Sequence, residues 1–350
     1  MIRLLFIGDS WLGSCARSLK EALVRRSDIL LDEVNPDLFL PNPTTLWVRA
    51  VNRMLRRTYA AELFDGIAYR IRMFRPDVVM TYKGPAISAE FIAAVKNMGY
   101  PTVCVYPDCS PHAHGEVHRQ AVGQYDLVIS TKPFHPPLWR DLYGYANRCE
   151  FVGQGYDPLL HLYHQPPLQS QFDVGMVATY RKEHGELMGE LDSRLGDSGI
   201  RFGIGGYGWR RFKVRSPSQW SFPGELHGRS YTEWLRQARI CIAPLAGSAV
   251  SDGALHPGDE DTTRTYELAA ANCFFIHRRT KYVQEIYDEI SEVPMFSSAE
   301  ELAELIRHFL ARPEERLAHA DAAHRRAVPQ YGIDRRAGQI VELLETLLNR

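Results

Sequence analysis

The sequence has no excess of either charge, no closely paired cysteines and no long apolar run. Its 41 lysines and arginines are balanced by 42 acidic residues, so no global charge favours binding to nucleic acid. The six cysteines form no Cys-x-x-Cys pair and lie mostly in or beside apolar runs, as reduced cysteines do. No apolar run approaches the roughly 20 residues that a membrane helix needs, and the opening IRLLFIG lacks the features of a signal peptide. We expect a soluble, cytoplasmic protein without a nucleic-acid partner.

The length and the spacing of short apolar runs predict two α/β domains. With 350 residues, of which 45% are hydrophobic, the chain exceeds the size at which single cores usually stop growing. Short apolar runs separated mostly by helix-like stretches are typical of parallel sheets covered by helices. One series of such runs lies at residues 2–8, 76–82, 101–107 and 126–130, and a second lies at 172–178, 200–206, 239–245 and 273–277.

The two series are separated by a segment that contains Pro-Pro and several glutamines and shows no clear period. The chain ends in helix-like sequence. The predicted organisation is a first domain over residues 1–155, a linker over 156–170, a second domain over 171–332 and a C-terminal helix at 333–350 that packs back on the first domain.

The most informative stretch is HPGDEDTTRTYELAAANCFFIH, residues 256–277. Asp259 is followed after seven residues by Glu267, and then by small residues and a strand-like run. The stretch resembles the GT-B glycosyltransferases, particularly the family-4-like group that includes the CgeB-type spore maturation proteins, whose Arg-x-x-Glu-x-x-Ala pattern is matched by Arg264, Glu267 and Ala270. The first acidic position is usually Glu in that wider family and is Asp here. By resemblance the Asp259 carboxylate meets the transferred sugar.

This resemblance implies a GT-B fold, in which two Rossmann-like α/β domains face a cleft. It also implies metal-independent transfer of a hexosyl or pentosyl group from a nucleotide-diphosphate sugar, bound by the second domain, to an acceptor bound by the first. The donor, linked to UDP, GDP or dTDP, is then a co-substrate, and no further cofactor is expected. The acceptor is a small molecule, a glycan or a protein, and the sequence does not specify it, the sugar, the base, the stereochemistry or the oligomeric state.

The residues around the glutamate also predict a diphosphate site on physical grounds. Thr262 or Thr263 is a suitable N-cap for a helix running to about Ala271, and the first N–H groups of such a helix bind anions. Thr263 and Arg264 lie four and three residues before Glu267, so that one helix face offers a cation to phosphate and a carboxylate to the ribose hydroxyls. The alternative is a threonine-capped surface helix with an ordinary Arg–Glu pair.

Further donor-binding positions are assigned by resemblance to Arg181, Lys182, Gly205, Leu226, His227 and Gly228. The first two directly follow the first strand of the second domain, from which related transferases supply positive charge to the diphosphate. A solvated helix start is the alternative for both. The glycine belongs to the cluster GIGGYGW, and the last three would line the base pocket with backbone groups.

In the first domain, the segment YPDCSPHAHG at residues 106–115 is expected to face the cleft. Asp108 stands where CgeB-like proteins tend to carry an acid. In an inverting reaction Asp108 or His112 would be the base that deprotonates the acceptor, whereas in a retaining reaction these groups would only orient the sugar. A metal site formed by His112, His114 and His118 is an alternative, although no set of further ligands is visible.

The opening LLFIGDSWLGSC also resembles the GDS-type serine hydrolases, in which Ser10 would be the nucleophile and Asp321 and His324 its partners. Those enzymes need a Gly-x-Asn-Asp block, which does not occur, and Asp321 and His324 lie in helix-like sequence. The spacing Gly-x-Gly-x-x-Gly of a dinucleotide site is also missing. We interpret the stretch as the turn after the first strand, and its acceptor-side residues are Gly8, Ser10, Trp11 and Gly13.

The segment TLWVRAVNRMLRRTY, residues 45–59, predicts a basic amphipathic helix. One face carries Trp47, Val51, Met54 and Leu55, and the other carries Arg49, Arg53, Arg56 and Arg57. Such a helix could touch an anionic membrane or an anionic acceptor, or its apolar face could belong to the core. Besides the hydrolase, a GT-B protein that binds a nucleotide sugar without catalysis remains an alternative.

Overall fold

The structure is a computed structural model, and it describes residues 1–349 except 40–45, 146, 168, 197, 216, 248 and 252–253. The chain forms two compact units. Unit 1 comprises Met1–Gly153 with Asp334–Arg350, and unit 2 comprises Gln154–Ile333. No helix among the described residues is both long and apolar enough to cross a membrane.

Unit 1 contains a six-stranded parallel sheet with the order β2-β1-β3-β4-β5-β6. Its inner strands are buried almost throughout, because helices cover both faces of a parallel sheet. The strands are β1 (Ile2–Ile7), β2 (Ile29–Val34), β3 (Val78–Tyr82), β4 (Thr102–Tyr106), β5 (Leu127–Ser130) and β6 (Arg148–Phe151). The helices between them are α1 (Cys15–Val24), α2 (Leu46–Phe74), α3 (Ala89–Asn97), α4 (Glu116–Val122) and α5 (His135–Tyr143).

Unit 2 contains a second six-stranded parallel sheet, with the order β14-β13-β10-β7-β8-β9. A short antiparallel hairpin follows β10. The strands are β7 (Phe172–Val177), β8 (Phe202–Gly205), β9 (Trp220–Ser221), β10 (Ala238–Ala243), the hairpin strands β11 (Ala249–Ser251) and β12 (Ala254–His256), β13 (Phe275–Arg278) and β14 (Met295–Phe296).

Helices cover both faces of this second sheet. They are α6 (Pro158–His161), α7 (Lys182–Leu195), α8 (Gly228–Leu235), α9 (Thr263–Ala270), α10 (Lys281–Ile286), α11 (Ala299–Leu310) and α12 (Pro313–Gln330). One core cluster combines the sheet with buried residues of α7 and α11. A second cluster joins it to α8, α9, α10 and α12. The site described below lies where α7 and α9 begin, at the carboxyl ends of β7 and β10.

The last helix, α13 (Ile333–Leu348), packs with unit 1. Arg25, which follows α1, forms an ion pair with Asp334 at 2.6 Å. The C-terminal helix is therefore part of unit 1 in the structure.

Candidate functional site

A buried hydrogen-bond chain holds the start of α9. The backbone N–H of Thr262, the N-cap residue, donates to Thr265 Oγ1 at 3.1 Å, and Thr265 Oγ1 lies 2.8 Å from His277 Nε2. Because His277 Nδ1 lies 2.7 Å from the carbonyl oxygen of Arg278, the ring proton is on Nδ1 and Nε2 accepts from the threonine. Burial lowers the pKa of His277 to about 4, so the ring is neutral near pH 7. The chain fixes the position of this helix N-terminus.

One buried polar atom at this helix start, Arg264 Nε, has no hydrogen-bond partner. The rest of the Arg264 guanidinium is anchored, since its Nη1 donates to the Pro244 carbonyl at 3.3 Å. The first N–H groups of a helix have no intrahelical acceptor and carry the positive end of its dipole. An anchored arginine beside such a terminus is suited to binding an anion.

Glu267 lies one turn further along α9, and two side chains from other elements approach its carboxylate. The hydroxyl of Tyr231 donates to Glu267 Oε2 at 2.8 Å, and His161 Nε2 lies 3.7 Å from Glu267 Oε1. His161 Nδ1 accepts from the backbone N–H of Asp157 at 3.1 Å, which places the ring proton on Nε2. Burial and the charge of Glu267 raise the pKa of Tyr231, so its hydroxyl stays protonated and continues to donate. The carboxylate is thus oriented while lone pairs remain for further donors.

Arg181 and Lys182 lie at the start of α7, where Arg181 is the N-cap residue. Both are exposed, and Lys182 forms a surface pair with Glu186 at 3.6 Å. Burial lowers the pKa of His184, and the charges of Arg264 and Arg181 lower it further. Both arginines therefore lie within electrostatic reach of one histidine, which brings the starts of α7 and α9 into one neighbourhood.

A cavity of about 470 Å³ lies beside these helix starts, and Asp259 and His184 both line it. This volume is within the roughly 300–1,000 Å³ typical of ligand pockets. The backbone N–H of Asp259 donates to the Ala246 carbonyl at 3.0 Å. His184 Nδ1 lies 3.1 Å from the Thr179 carbonyl oxygen and carries the ring proton, so its buried Nε2, which has no partner, is an acceptor.

The glycine cluster after β8 is required by a close approach of two backbone segments. Gly206 has φ of +119°, and a Cβ there would come within 2.1 Å of the Ala178 carbonyl oxygen. Its N–H donates to the Gly224 carbonyl at 2.7 Å. A Cβ on the preceding Gly205 would lie 2.8 Å from Leu226 Cδ1. The cluster therefore holds the 222–228 loop against the end of β7.

The remaining residues assigned to the base pocket lie in that loop. His227 is the N-cap residue of α8, its side chain is 52% exposed, and its Nε2 is 3.4 Å from Glu225 Oε2. Gly228 begins α8 with φ of +55°, in the left-handed region. The contact of these residues with a base stays a prediction.

In unit 1, Asp108 is bound by two cationic or potentially cationic groups. Its Oδ2 lies 2.9 Å from His114 Nε2 and 3.2 Å from Lys83 Nζ. Burial raises the pKa of Asp108, but the hydrogen bond from His114 and the charge of Lys83 outweigh it, and the pKa falls to about 2. Lys83 itself has φ of +63°, an uncommon conformation for a residue with a side chain, and its carbonyl lies 2.7 Å from His118 Nε2.

The other candidates of unit 1 have different surroundings. The ring of His112 packs on the Tyr143 ring with centroids 5.8 Å apart. Ser10 Oγ accepts from Lys20 Nζ at 3.1 Å, Trp11 is 47% exposed, and Gly13 has φ of +93° in the turn before α1. This confirms a turn after β1, while the role of its side chains stays a prediction.

The hydrogen bonds do not support the hydrolase alternative. Lys20, the partner of Ser10, also pairs with Glu33 at 2.5 Å. Asp321 and His324 lie on α12, where Asp321 pairs with Arg325 and the buried His324 binds the Ala269 carbonyl at 3.0 Å. Each member of the supposed triad therefore has a different partner.

The structure gives no support to the three-histidine metal alternative. Within the described ranges, no group of three or more histidine, cysteine, aspartate or glutamate side chains could hold a metal ion. Asp259 and Asp261 have the spacing of an Asp-x-Asp motif, but Asp261 is fully buried and accepts from the Tyr266 hydroxyl at 2.7 Å.

Sequence reasoning did not find the residues that hold the candidates in place. Tyr231 and His161 at Glu267, Thr265 and His277 at the start of α9, and Lys83 at Asp108 all come from distant parts of the chain. Only the Thr262–Thr265 spacing is a local signal, since an N-cap threonine followed three residues later by a hydrogen-bonding side chain favours a helix start.

Comparison with known proteins bears on this site. Residues 181–342 match the family model described as glycosyl transferase-like. The matched segment runs from the N-cap of α7 into α13 and contains all the predicted donor-binding residues. No curated protein matches the chain.

Several solved structures share the fold at low identity. Sucrose-phosphate synthase from Thermosynechococcus elongatus is 12% identical, with a TM-score of 0.68 and 100% of both chains covered. HepE from Anabaena, in complex with UDP-glucose, is 12% identical, with a TM-score of 0.67 and 99% and 100% of the two chains covered. UDP-GlcNAc 2-epimerase from Neisseria meningitidis, bound to UDP-GlcNAc, is 12% identical, with a TM-score of 0.55 and coverage of 99% and 100%. The predicted GT-B fold with two Rossmann-like domains is thereby confirmed.

Proposed function

We propose that the protein is a glycosyltransferase that moves a sugar from a nucleotide-diphosphate donor to an acceptor. The glycosyl transferase-like segment at 181–342 supports this function. The observation that carries the proposal is the construction of α9, whose anchored N-terminus lies beside the unpaired Arg264 Nε while Glu267 is oriented one turn further along. The proposal further includes that the protein belongs to the CgeB-type group and is located in the cytoplasm.

The donor would lie along the start of α9. Its diphosphate meets the first-turn N–H groups, Thr262, Thr263 and the Arg264 guanidinium, and Arg181 and Lys182 add positive charge from α7. The Glu267 carboxylate accepts hydrogen bonds from the ribose hydroxyls. The backbone of the 222–228 loop lines the base. Uracil is the first base to test, because HepE was solved with UDP-glucose.

The transferred sugar would enter the cavity beside α7 and α9. Asp259 offers a carboxylate and His184 Nε2 offers an unpaired lone pair, so both accept hydrogen bonds from sugar hydroxyls. An unpaired buried acceptor is costly, and a sugar hydroxyl would satisfy it. This arrangement handles the diphosphate with helix N–H groups and arginines, and we propose that transfer is independent of metal.

On the acceptor side, His114 is a better candidate base than Asp108 or His112. Asp108, with a pKa of about 2, is a weak base, but its charge fixes the His114 proton on Nε2 and leaves Nδ1 as the acceptor. In an inverting reaction, Nδ1 takes the proton of the acceptor hydroxyl as its oxygen bonds to the anomeric carbon. The bond from that carbon to the diphosphate breaks, and the diphosphate leaves with the electron pair. In a retaining reaction the same groups orient the sugar.

The test is turnover of a panel of UDP-, GDP- and dTDP-sugars in EDTA, with release of nucleoside diphosphate measured with and without a cell fraction as acceptor. The proposal predicts release that depends on the acceptor fraction. Ligand-induced thermal stabilisation without release would indicate a silent binder, and a changed sugar configuration without acceptor would indicate an epimerase. Fluorophosphonate labelling that is lost in Ser10→Ala would indicate the hydrolase.

A further inference from the structure

The long helix α2 carries two apolar faces that point in different directions. In its second half Leu63, Ile67 and Ile71 are 2%, 0% and 1% exposed, and they define the side that packs on unit 1. In its first turns Trp47 and Met54 are 86% and 84% exposed. At 3.6 residues per turn, these two lie roughly half a turn around the axis from the core side. The predicted alternative that this face belongs to the core is therefore wrong.

The exposed face is continuous along the first three turns. Val51 is 52% exposed and Leu55 is 39% exposed, and helical spacing places both beside Trp47 and Met54. A contiguous exposed apolar patch of this kind marks an interaction surface rather than the scattered apolar residues of any protein surface.

The charge of the same segment indicates what covers the patch. Residues 46–59 contain four arginines, at positions 49, 53, 56 and 57, and no acidic residue. The side chains of the first three lie outside the described part of the structure. A helix with Trp and Met on one face and only basic charge elsewhere has the composition of an interfacial helix that lies in an anionic lipid surface.

We propose that residues 46–59 of α2 bind an anionic lipid surface, with Trp47, Val51, Met54 and Leu55 inserted at the headgroup boundary. Each arginine near such a surface strengthens binding roughly fivefold. The proposal does not depend on the function proposed above.

The experiment is flotation of the full chain with vesicles of phosphatidylglycerol and phosphatidylcholine in equal parts, compared with phosphatidylcholine alone. The protein should float with the anionic vesicles at about 0.15 M salt and much less at about 1 M. The variant Trp47→Ser with Met54→Ser should bind roughly tenfold more weakly or worse, and Arg53→Glu with Arg57→Glu should lose the preference for anionic lipid.

The same helix supplies a matched control. Tyr69 and Met73 are also exposed, at 55% and 67%, and lie on the same side of α2, but there Glu62 and Asp65 balance the charge of Arg70 and Arg72. Tyr69→Ser with Met73→Ser should therefore float like the wild type. All variants should keep the wild-type melting temperature, since every substituted side chain that the structure describes is exposed.

Three results would overturn the proposal. They are failure to float with anionic vesicles, equal loss of flotation in the control variant, and equal binding to phosphatidylcholine alone. A dimer in sedimentation velocity that is lost in Trp47→Ser with Met54→Ser, without flotation of the wild type, would assign the patch to a second copy.

Discussion

Replacing Glu267 tests the ribose-binding role in a way that the structure makes quantitative. Glu267→Ala removes a carboxylate that would accept charge-assisted hydrogen bonds from the ribose, which contribute roughly 1.5 to 3 kcal/mol. The variant should bind a nucleoside diphosphate roughly 10 to 100 times more weakly. Glu267→Gln retains the volume and an oxygen for the Tyr231 hydroxyl, so its loss should be smaller.

Replacing Tyr231 tests whether the orientation of the Glu267 carboxylate contributes to binding in addition to its charge. Tyr231→Phe removes the hydroxyl that donates to Glu267 Oε2 at 2.8 Å but leaves the negative charge in place. Loss of this orienting bond should weaken binding by about 0.5 to 1.5 kcal/mol, or roughly two- to tenfold. In the double variant with Glu267→Ala, the Tyr231 substitution should add almost nothing, because a hydroxyl can orient only a carboxylate that exists.

The assay is calorimetric titration with the bare nucleoside diphosphate, with melting temperatures as the check on folding. Asp259→Asn is the comparison, since that carboxylate is assigned to the sugar and its loss should impair turnover while leaving affinity for the bare diphosphate nearly unchanged. Equal losses of affinity at Asp259 and Glu267, or no loss at Glu267, would refute the reasoning.

Four further predictions concern the start of α9, the acceptor side and metal. Thr265→Val breaks the chain to His277 and should weaken diphosphate binding, whereas Thr265→Ser should not, as titration would show. The folded-state pKa of His277 is about 4, below its ordinary 6.5, so the unfolded state binds one more proton than the folded state between these pH values. From pH 7 to pH 5 the free energy of unfolding should therefore fall by about 2 kcal/mol more in the wild type than in His277→Asn, as measured by urea titration. His114→Gln should lower kcat by roughly a hundredfold or more with KM nearly unchanged, and an unaltered kcat would contradict its role as base. EDTA should leave turnover unchanged, and activity restored only by Mg²⁺ or Mn²⁺ would contradict the arginine and helix assignment.

The fold was predictable where sequence signals are local and strong. All eight apolar runs correspond to strands, because strands buried on both faces read as continuous apolar sequence. The strands at 29–34 and 148–151 were missed, since they lie at the edges of the first sheet and are partly exposed or polar. The hairpin after β10 was missed as well.

In the candidate site, too, local features were predictable from the sequence and contacts between distant residues were not. The helix start at Thr262 was predictable, because an N-cap and a spacing of three or four residues are local properties. Tyr231 is 36 residues from Glu267 in sequence, and only the packing of α8 beside α9 brings them together. Lys83 likewise reaches Asp108 because β3 and β4 are neighbours and its backbone adopts a left-handed conformation. Contacts of this kind leave no periodic trace in the sequence.

The central claim is that the start of α9 holds a diphosphate, and the most direct measurement compares ligands that differ only in phosphate. Calorimetry with a nucleoside, its monophosphate and its diphosphate should show affinity rising with each phosphate in the wild type. Arg264→Ala should largely abolish that rise, while Arg325→Ala, which removes an exposed arginine on α12 that pairs with Asp321, should preserve it. Equal affinity for the three ligands in the wild type, or an unchanged rise in Arg264→Ala, would contradict the account.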